Sequence, residues 1–147
     1  MIYTKLTNKA MRIAYEAHKG QYDVNGVPYI FHPYHVAEQM TDEITTCTAL
    51  LHDVVEDTNM TFEELEQEFP EEVITALKLL THEKGTDYYE YIEKAATNPV
   101  ARAVKLADIE HNSDTSRITD KNAVSADKII YWKNKYSIAK RILEKYL

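Results

Sequence analysis

The stretch Ala49-Leu-Leu-His-Asp-Val-Val-Glu-Asp-Thr58 sets four proton-active or metal-competent groups, His52, Asp53, Glu56 and Asp57, into an otherwise apolar run. At helical spacing, residues three and four apart share a face, so Asp53 with Glu56, His52 with Glu56, and Asp53 with Asp57 project in related directions. Leu50, Leu51, Val54 and Val55 fill much of the remaining circumference. The helix is therefore expected to be buried, with its polar strip facing a cleft. Burying several carboxylates together is unfavourable unless positive charge compensates them, and a divalent cation does so with one ion. The pattern asks for a metal.

His52 and Asp53 supply one nitrogen and one oxygen, and a stable site needs further ligands from elsewhere. Two other segments offer them: Tyr29-Ile-Phe-His-Pro33, with His32 just before an expected helix start, and Lys105-Leu-Ala-Asp-Ile-Glu-His-Asn112. In the second, Lys105, Asp108 and Asn112 lie three and four residues apart and can share a helical face. Asp108 is the natural fourth ligand. Two nitrogens and two oxygens, with water completing the shell, suit Mn²⁺, Fe²⁺ or Zn²⁺, and spacing alone does not choose among them. A His-Asp doublet alone is commonly structural; its joint occurrence with His32, Glu56, Asp57 and Asp108 carries the functional reading.

The elements that must position these groups read as all-α. Only 3 glycines and 4 prolines punctuate the chain, and apolar residues recur mostly at helical spacing. A first helix is expected from about Thr4 to His18, ending at Gly20. An irregular stretch follows from Gln21 to Pro33, where Asn25-Gly26 and Pro28 favour turns. Pro33 is suited to a first helical position and opens an expected helix to Met40. The next helix is read as continuous from Glu43 to Glu56. Thr61-Phe-Glu-Glu64 reads as a capping box opening a short helix before Pro70.

Further helices are expected near Glu71 to Thr81, Tyr88 to Thr97 and Pro99 to Glu110, then a polar loop from Asn112 to Asn122. A last helix over about 124–146 sets Ile129, Trp132, Tyr136, Ala139, Leu143 and Tyr146 on one stripe, read as core. His18 is expected to bond locally at its helix end, His35 to line the cleft or serve structure, and His82 to be solvated. The acidic run Glu63 to Glu72 reads as a solvated face.

The 147 residues, 44% of them hydrophobic, are the size of one domain, read here as residues 1–147. Lys plus Arg is 17 against 24 Asp plus Glu, a net charge of −7. That surface argues against extended nucleic acid as a partner, while a small phosphorylated ligand is served by a cation and a few lysines in a cleft. The single cysteine, Cys47, excludes an internal disulfide and a thiolate-rich zinc site. No window approaches the roughly 18 apolar residues of a membrane span, and a cytoplasmic location is expected. No pattern in the sequence specifies an oligomeric state.

His32, the His52-Asp53 doublet and Asp108 resemble the H…HD…D arrangement of the HD-domain metal-dependent phosphohydrolases. Within that superfamily the chain is most similar to the hydrolase domain of RelA/SpoT-type alarmone enzymes, which degrade guanosine tetraphosphate and pentaphosphate. The matching stretches are Ala17-His-Lys-Gly-Gln21, Gly26-Val-Pro-Tyr-Ile-Phe-His-Pro33, Ala49 to Thr58, and Lys105-Leu-Ala-Asp108 with His111-Asn112, within roughly Leu6 to Thr115. The resemblance implies a helical HD fold, usually Mn²⁺, with His32, His52, Asp53 and Asp108 as ligands. It also implies that Glu56 and Asp57 match an acidic pair that helps activate the attacking water, and that Asn112 helps position a nucleotide.

Lys105 and Lys19 are further candidates for neutralising phosphate charge. The chain departs from the family pattern at Asp23 and Val24, where basic residues contact the substrate's base, and at Ile109, where arginine is usual. The departures leave three readings open: an alarmone 3′-pyrophosphohydrolase, an HD phosphohydrolase acting on another nucleotide or phosphorylated metabolite, and a catalytically silent nucleotide sensor. The resemblance also implies that larger relatives pair this domain with a synthetase, for which these 147 residues leave no room.

Overall fold

The computed structural model describes Met1–Leu147, and its regular structure is helical: α1 (Lys5–Ala17), α2 (Phe31–Glu38), α3 (Glu43–Leu51), α4 (Val54–Asp57), α5 (Phe62–Glu66), α6 (Glu71–Leu80), α7 (Tyr88–Ala96), α8 (Pro99–Asn112) and α9 (Ala126–Glu144). A single 3₁₀ turn, Thr115–Arg117, lies between α8 and α9. The only strand-like pairing is one bridge, Tyr22 with Pro28. Helix starts follow local chemistry. Thr4, Asp42, Thr61, Asp87, Asn98 and Ser125 each accept a first-turn backbone N–H at the start of α1, α3, α5, α7, α8 and α9.

The centre is α3, whose residues Thr45 to Leu51 are all buried. A helix apolar on every side is buried on every side, and α3 packs on α1, α2, α6 and α8. These helices share a cluster of 20 buried apolar residues that includes Ala14, Val36, Leu50, Leu51, Val54 and Leu77. A second, smaller cluster of 7 joins α7, α8 and α9 through Tyr91, Ile92, Ile109, Ala139, Ile142 and Leu143. Ile109, 2% exposed, is thus a packing residue beneath α9.

The structure corrects four expectations. The helix expected over Glu43 to Glu56 breaks after Leu51, with His52 as its cap and Asp53 at φ −104°, ψ 0°. In a continuing helix the Ala49 carbonyl would accept the Asp53 amide. Here it accepts the His52 amide at 3.5 Å and the His52 ring Nδ1–H at 2.6 Å.

The helix expected to open at Pro33 begins two residues earlier, at Phe31. The missing N–H of Pro33 is tolerated because first-turn amides have no helical acceptor in any case. α8 continues to Asn112 rather than ending at Glu110. The stripe on the last helix is core only in its second half: Ala139 and Leu143 are buried, while Ile129, Trp132 and Tyr136 are partly exposed and line a cleft. Tyr146 is 41% exposed, and its hydroxyl bonds Glu93.

Candidate metal centre

Three elements bring the four expected ligands together. His32 comes from the first turn of α2, His52 and Asp53 from the break between α3 and α4, and Asp108 from α8. His32 Nε2 lies 2.8 Å from Asp108 Oδ1 and 3.8 Å from Asp53 Oδ2. His52 Nε2 lies 3.1 Å from Asp53 Oδ2 and 3.5 Å from Asp108 Oδ1. His32, His52 and Asp108 are each about 95% buried.

His52 tests whether these residues fit a cation. Its Nδ1 faces a carbonyl oxygen, which can only accept, so Nδ1 carries the proton. Its buried Nε2 has no hydrogen-bond partner, although two carboxylate oxygens lie within 3.5 Å. A neutral ring would present a lone pair there to negative oxygens, so the arrangement calls for positive charge at Nε2, which a proton or a divalent cation can supply. Burial alone would lower the His52 pKa, but Asp53 and Asp108 outweigh it and hold it well above the ordinary value. Burial likewise works to raise the Asp53 carboxyl, and His52 overrides it, bringing Asp53 down to about 2. The cluster is built around positive charge.

Each ligand has a further partner outside the set of four. The Tyr29 hydroxyl donates to Asp53 Oδ2 at 2.5 Å. Asn112 Nδ2 donates to Asp108 Oδ1 at 3.1 Å, and Lys105 Nζ lies 2.8 Å from Asp108 Oδ2. His32 Nδ1 lies 2.7 Å from His111 Nδ1. Such outer partners fix ligand orientation and tune basicity.

Glu56 and Asp57 are exposed at the rim rather than buried. Asp53, Glu56 and Asp57 nevertheless bring carboxylate oxygens within 4.8 Å of one another. Partial desolvation, then the charges of Asp53 and Glu56, push the Asp57 pKa up to about 6. Glu56 Oε1 accepts the His82 backbone N–H at 2.8 Å. His82 itself is half-buried and stacked on Tyr91 at 4.7 Å, not simply solvated.

A cleft of about 360 Å³ adjoins the cluster, lined among others by Tyr22, Tyr29, Asn112, Arg117, Trp132 and Tyr136. Tyr29 and Asn112 belong to both cleft and cluster. Val24 also lines it, and the Asp23 carboxylate is turned to the loop, accepting the Asn25 and Val27 amides and lying 3.5 Å from Arg117. A larger groove of about 680 Å³ reaches Asp57 but none of the four ligands. Lys105 is nearly buried, with its ammonium on Asp108 and 5.2 Å from the Tyr91 ring centre. Lys19 is exposed after α1 and forms no ion pair with the cluster. His18 bonds Gln21 at 2.8 Å, the local role expected, and His35 stacks on His111.

Sequence reasoning missed Tyr29 and Gln21. Tyr29 stands three residues before His32 in the same short run, and Gln21, whose amide donates to the Asp57 carbonyl, follows the turn at Gly20.

The sequence profile of the HD domain matches residues 10–105. The chain belongs to the HD-domain family. An HD hydrolase domain implies a divalent metal, and this HD domain carries a His/Asp cluster that could bind one. Similar proteins include the guanosine-3′,5′-bis(diphosphate) 3′-pyrophosphohydrolase of Borreliella burgdorferi, 39% identical over 129 residues, covering 78% of this chain and 19% of that protein. The bifunctional (p)ppGpp synthase/hydrolase SpoT of Escherichia coli is 36% identical over 126 residues, covering 76% of this chain and 18% of SpoT. The chain thus spans about a fifth of the length of these relatives. Among solved structures, a metazoan ortholog of SpoT that hydrolyzes ppGpp shares the fold, with a TM-score of 0.78, 24% identity and coverage of 99% of this chain and 96% of that one. In the HD domain described here, no helix is long and apolar enough to cross a membrane.

Proposed function

We propose that this HD domain hydrolyses a guanosine 3′,5′-bis(diphosphate) at its 3′-pyrophosphate, giving the 5′-diphosphate nucleotide and pyrophosphate. The observation that carries the reading is the buried His52 Nε2, aimed at two carboxylates with no partner of its own, beside a cleft that shares Tyr29 and Asn112 with the cluster. The relatives named as (p)ppGpp hydrolases support the substrate class. A divalent ion held by His32, His52, Asp53 and Asp108, Mn²⁺ in this proposal with Fe²⁺ and Zn²⁺ also compatible, would supply Lewis acidity toward the phosphoryl group and the attacking water.

The remaining work falls to the chain's own groups. Asp57, with its raised pKa, takes the proton from the water, since a base serves best when its pKa approaches the working pH. Glu56, anchored by the His82 amide, adds negative charge beside Asp57 that raises its basicity. Asn112 and Tyr29 orient the nucleotide across the cleft mouth, Trp132 and Tyr136 offer aromatic faces to the base, and Lys105 and Lys19 are the lysines proposed for phosphate. Glu56→Gln and Asp57→Asn are each expected to lower kcat about 100-fold or more with metal still bound. Wild-type rates in both variants would remove this assignment.

A second reading keeps the reaction and changes the nucleotide. It is favoured by the cleft wall, where Val24 is apolar, Asp23 is committed to its loop and Arg117 enters from the turn after α8. Pyrophosphate and phosphate release from a nucleotide panel, with Mn²⁺ and with chelator, separates the two. Metal-dependent pyrophosphate release from guanosine tetraphosphate supports the first reading, and turnover of other nucleotides alone supports the second.

A further inference from the structure

Of the four ligands of the metal reading above, on which this inference rests, His32 alone has its second ring nitrogen bonded to a group that can either donate or accept. His52 has its tautomer set by a carbonyl. For His32, the only partner of Nδ1 is Nδ1 of His111, 2.7 Å away across 79 positions of sequence. Two imidazole nitrogens at that distance share one proton. His32 Nε2 faces Asp108 and Asp53. With a cation at Nε2 that nitrogen holds no proton, so a neutral His32 carries its proton on Nδ1, and His111 must present a bare Nδ1 to receive it.

We propose that His111 is a positioning residue that sets the tautomer and orientation of His32, presenting the His32 Nε2 lone pair to a divalent cation. The ring is built to hold one pose. It lies between His32, with planes 8° apart and centroids at 5.0 Å, and His35, with centroids at 4.1 Å. Its backbone is held by α8 and by Arg117 Nη1, which donates to the His111 carbonyl at 2.9 Å. His111 also lines, with His32, His35 and Glu38, a second cleft of about 460 Å³ that is open to solvent, where water can accept its Nε2–H.

The test compares His111→Phe, which keeps a stacking ring but has no acceptor, with His111→Gln, which restores one. Zn²⁺ and Mn²⁺ affinities of the whole chain are measured by calorimetry, alongside thermal unfolding of the metal-free proteins. His111→Phe is expected to bind metal about 10- to 100-fold more weakly, with metal-free unfolding close to wild type, while His111→Gln recovers most of the affinity. Long-range ¹H–¹⁵N spectra of the Zn²⁺-loaded wild type are expected to place the His32 proton on Nδ1.

Wild-type affinity in His111→Phe, equal loss in both variants, or a His32 proton on Nε2 would each overturn the proposal while leaving the metal reading standing. A wild-type protein that binds neither ion would overturn the metal reading and this inference together.

Discussion

Ionising Asp57 costs the fold free energy, because its carboxylate meets partial desolvation and the charges of Asp53 and Glu56. Its folded pKa of about 6 lies above the ordinary 3.8, so its share of stability is present at low pH and is lost as pH rises through about 6. In metal-free protein at pH 7, Asp57→Asn is therefore expected to raise the melting temperature by a few degrees, the effect being small because the group is largely exposed. The same variant loses turnover, so a melting curve and a rate assay should move in opposite directions. His52→Ala and Asp108→Ala are expected to abolish metal content and activity with helical circular dichroism largely intact; full activity in either would refute the metal assignment. His52 and Asp57 were legible because type and spacing mark them in one stretch, and Asp108 because it stands in helical register with Lys105 and Asn112 in another. Tyr29 and His111 were not, since their roles depend on which ring atom or hydroxyl meets a ligand across 24 or 79 positions, a relation that no local pattern encodes.

Helix starts were legible where a capping side chain announces them, as at Thr61, where the expected cap accepts the Glu64 amide. The break at His52-Asp53 was not, because the apolar spacing runs straight through it and only the His52 ring, bonding back to Ala49, interrupts the ladder. The break matters: it splays His52 and Asp53 toward one point instead of leaving them about 100° apart on a continuous helix. Along α9 the spacing is equally regular at both ends, yet only the second half meets the small cluster with α7 and α8. Leu143→Ala is accordingly expected to destabilise the protein by about 2–5 kcal/mol in a denaturant titration. Trp132→Ala should leave stability nearly unchanged and raise KM about tenfold with kcat little altered, the signature of lost uniform binding. Equal loss of stability in both variants would contradict this division of α9.

Across the whole molecule, the net charge of −7 would repel a polyphosphate were the basic groups spread evenly. They are not: α9, which forms one wall of the cleft, carries five Lys or Arg against two Asp or Glu. Binding of a cation to the cluster adds to stability by mass action. Mn²⁺ at 100 times its dissociation constant should raise the melting temperature by roughly 5–10 °C, and chelator should reverse it. No shift with any divalent ion would count against the site. The two hydrophobic clusters divide these duties in space, since the ligand-bearing helices pack into the cluster of 20, while Trp132, Tyr136 and the segment after Asn112 stand outside it. Of the departures from the family pattern, Asp23 and Val24 fall outside both clusters, whereas Ile109 is buried in the smaller one. Substrate preference in this fold can therefore drift at the cleft wall with little hazard to folding or ion binding, which makes that wall evolvable and gives a library confined to Val24, Ile129, Trp132 and residues 113–118 good odds of retaining folded, metal-competent members.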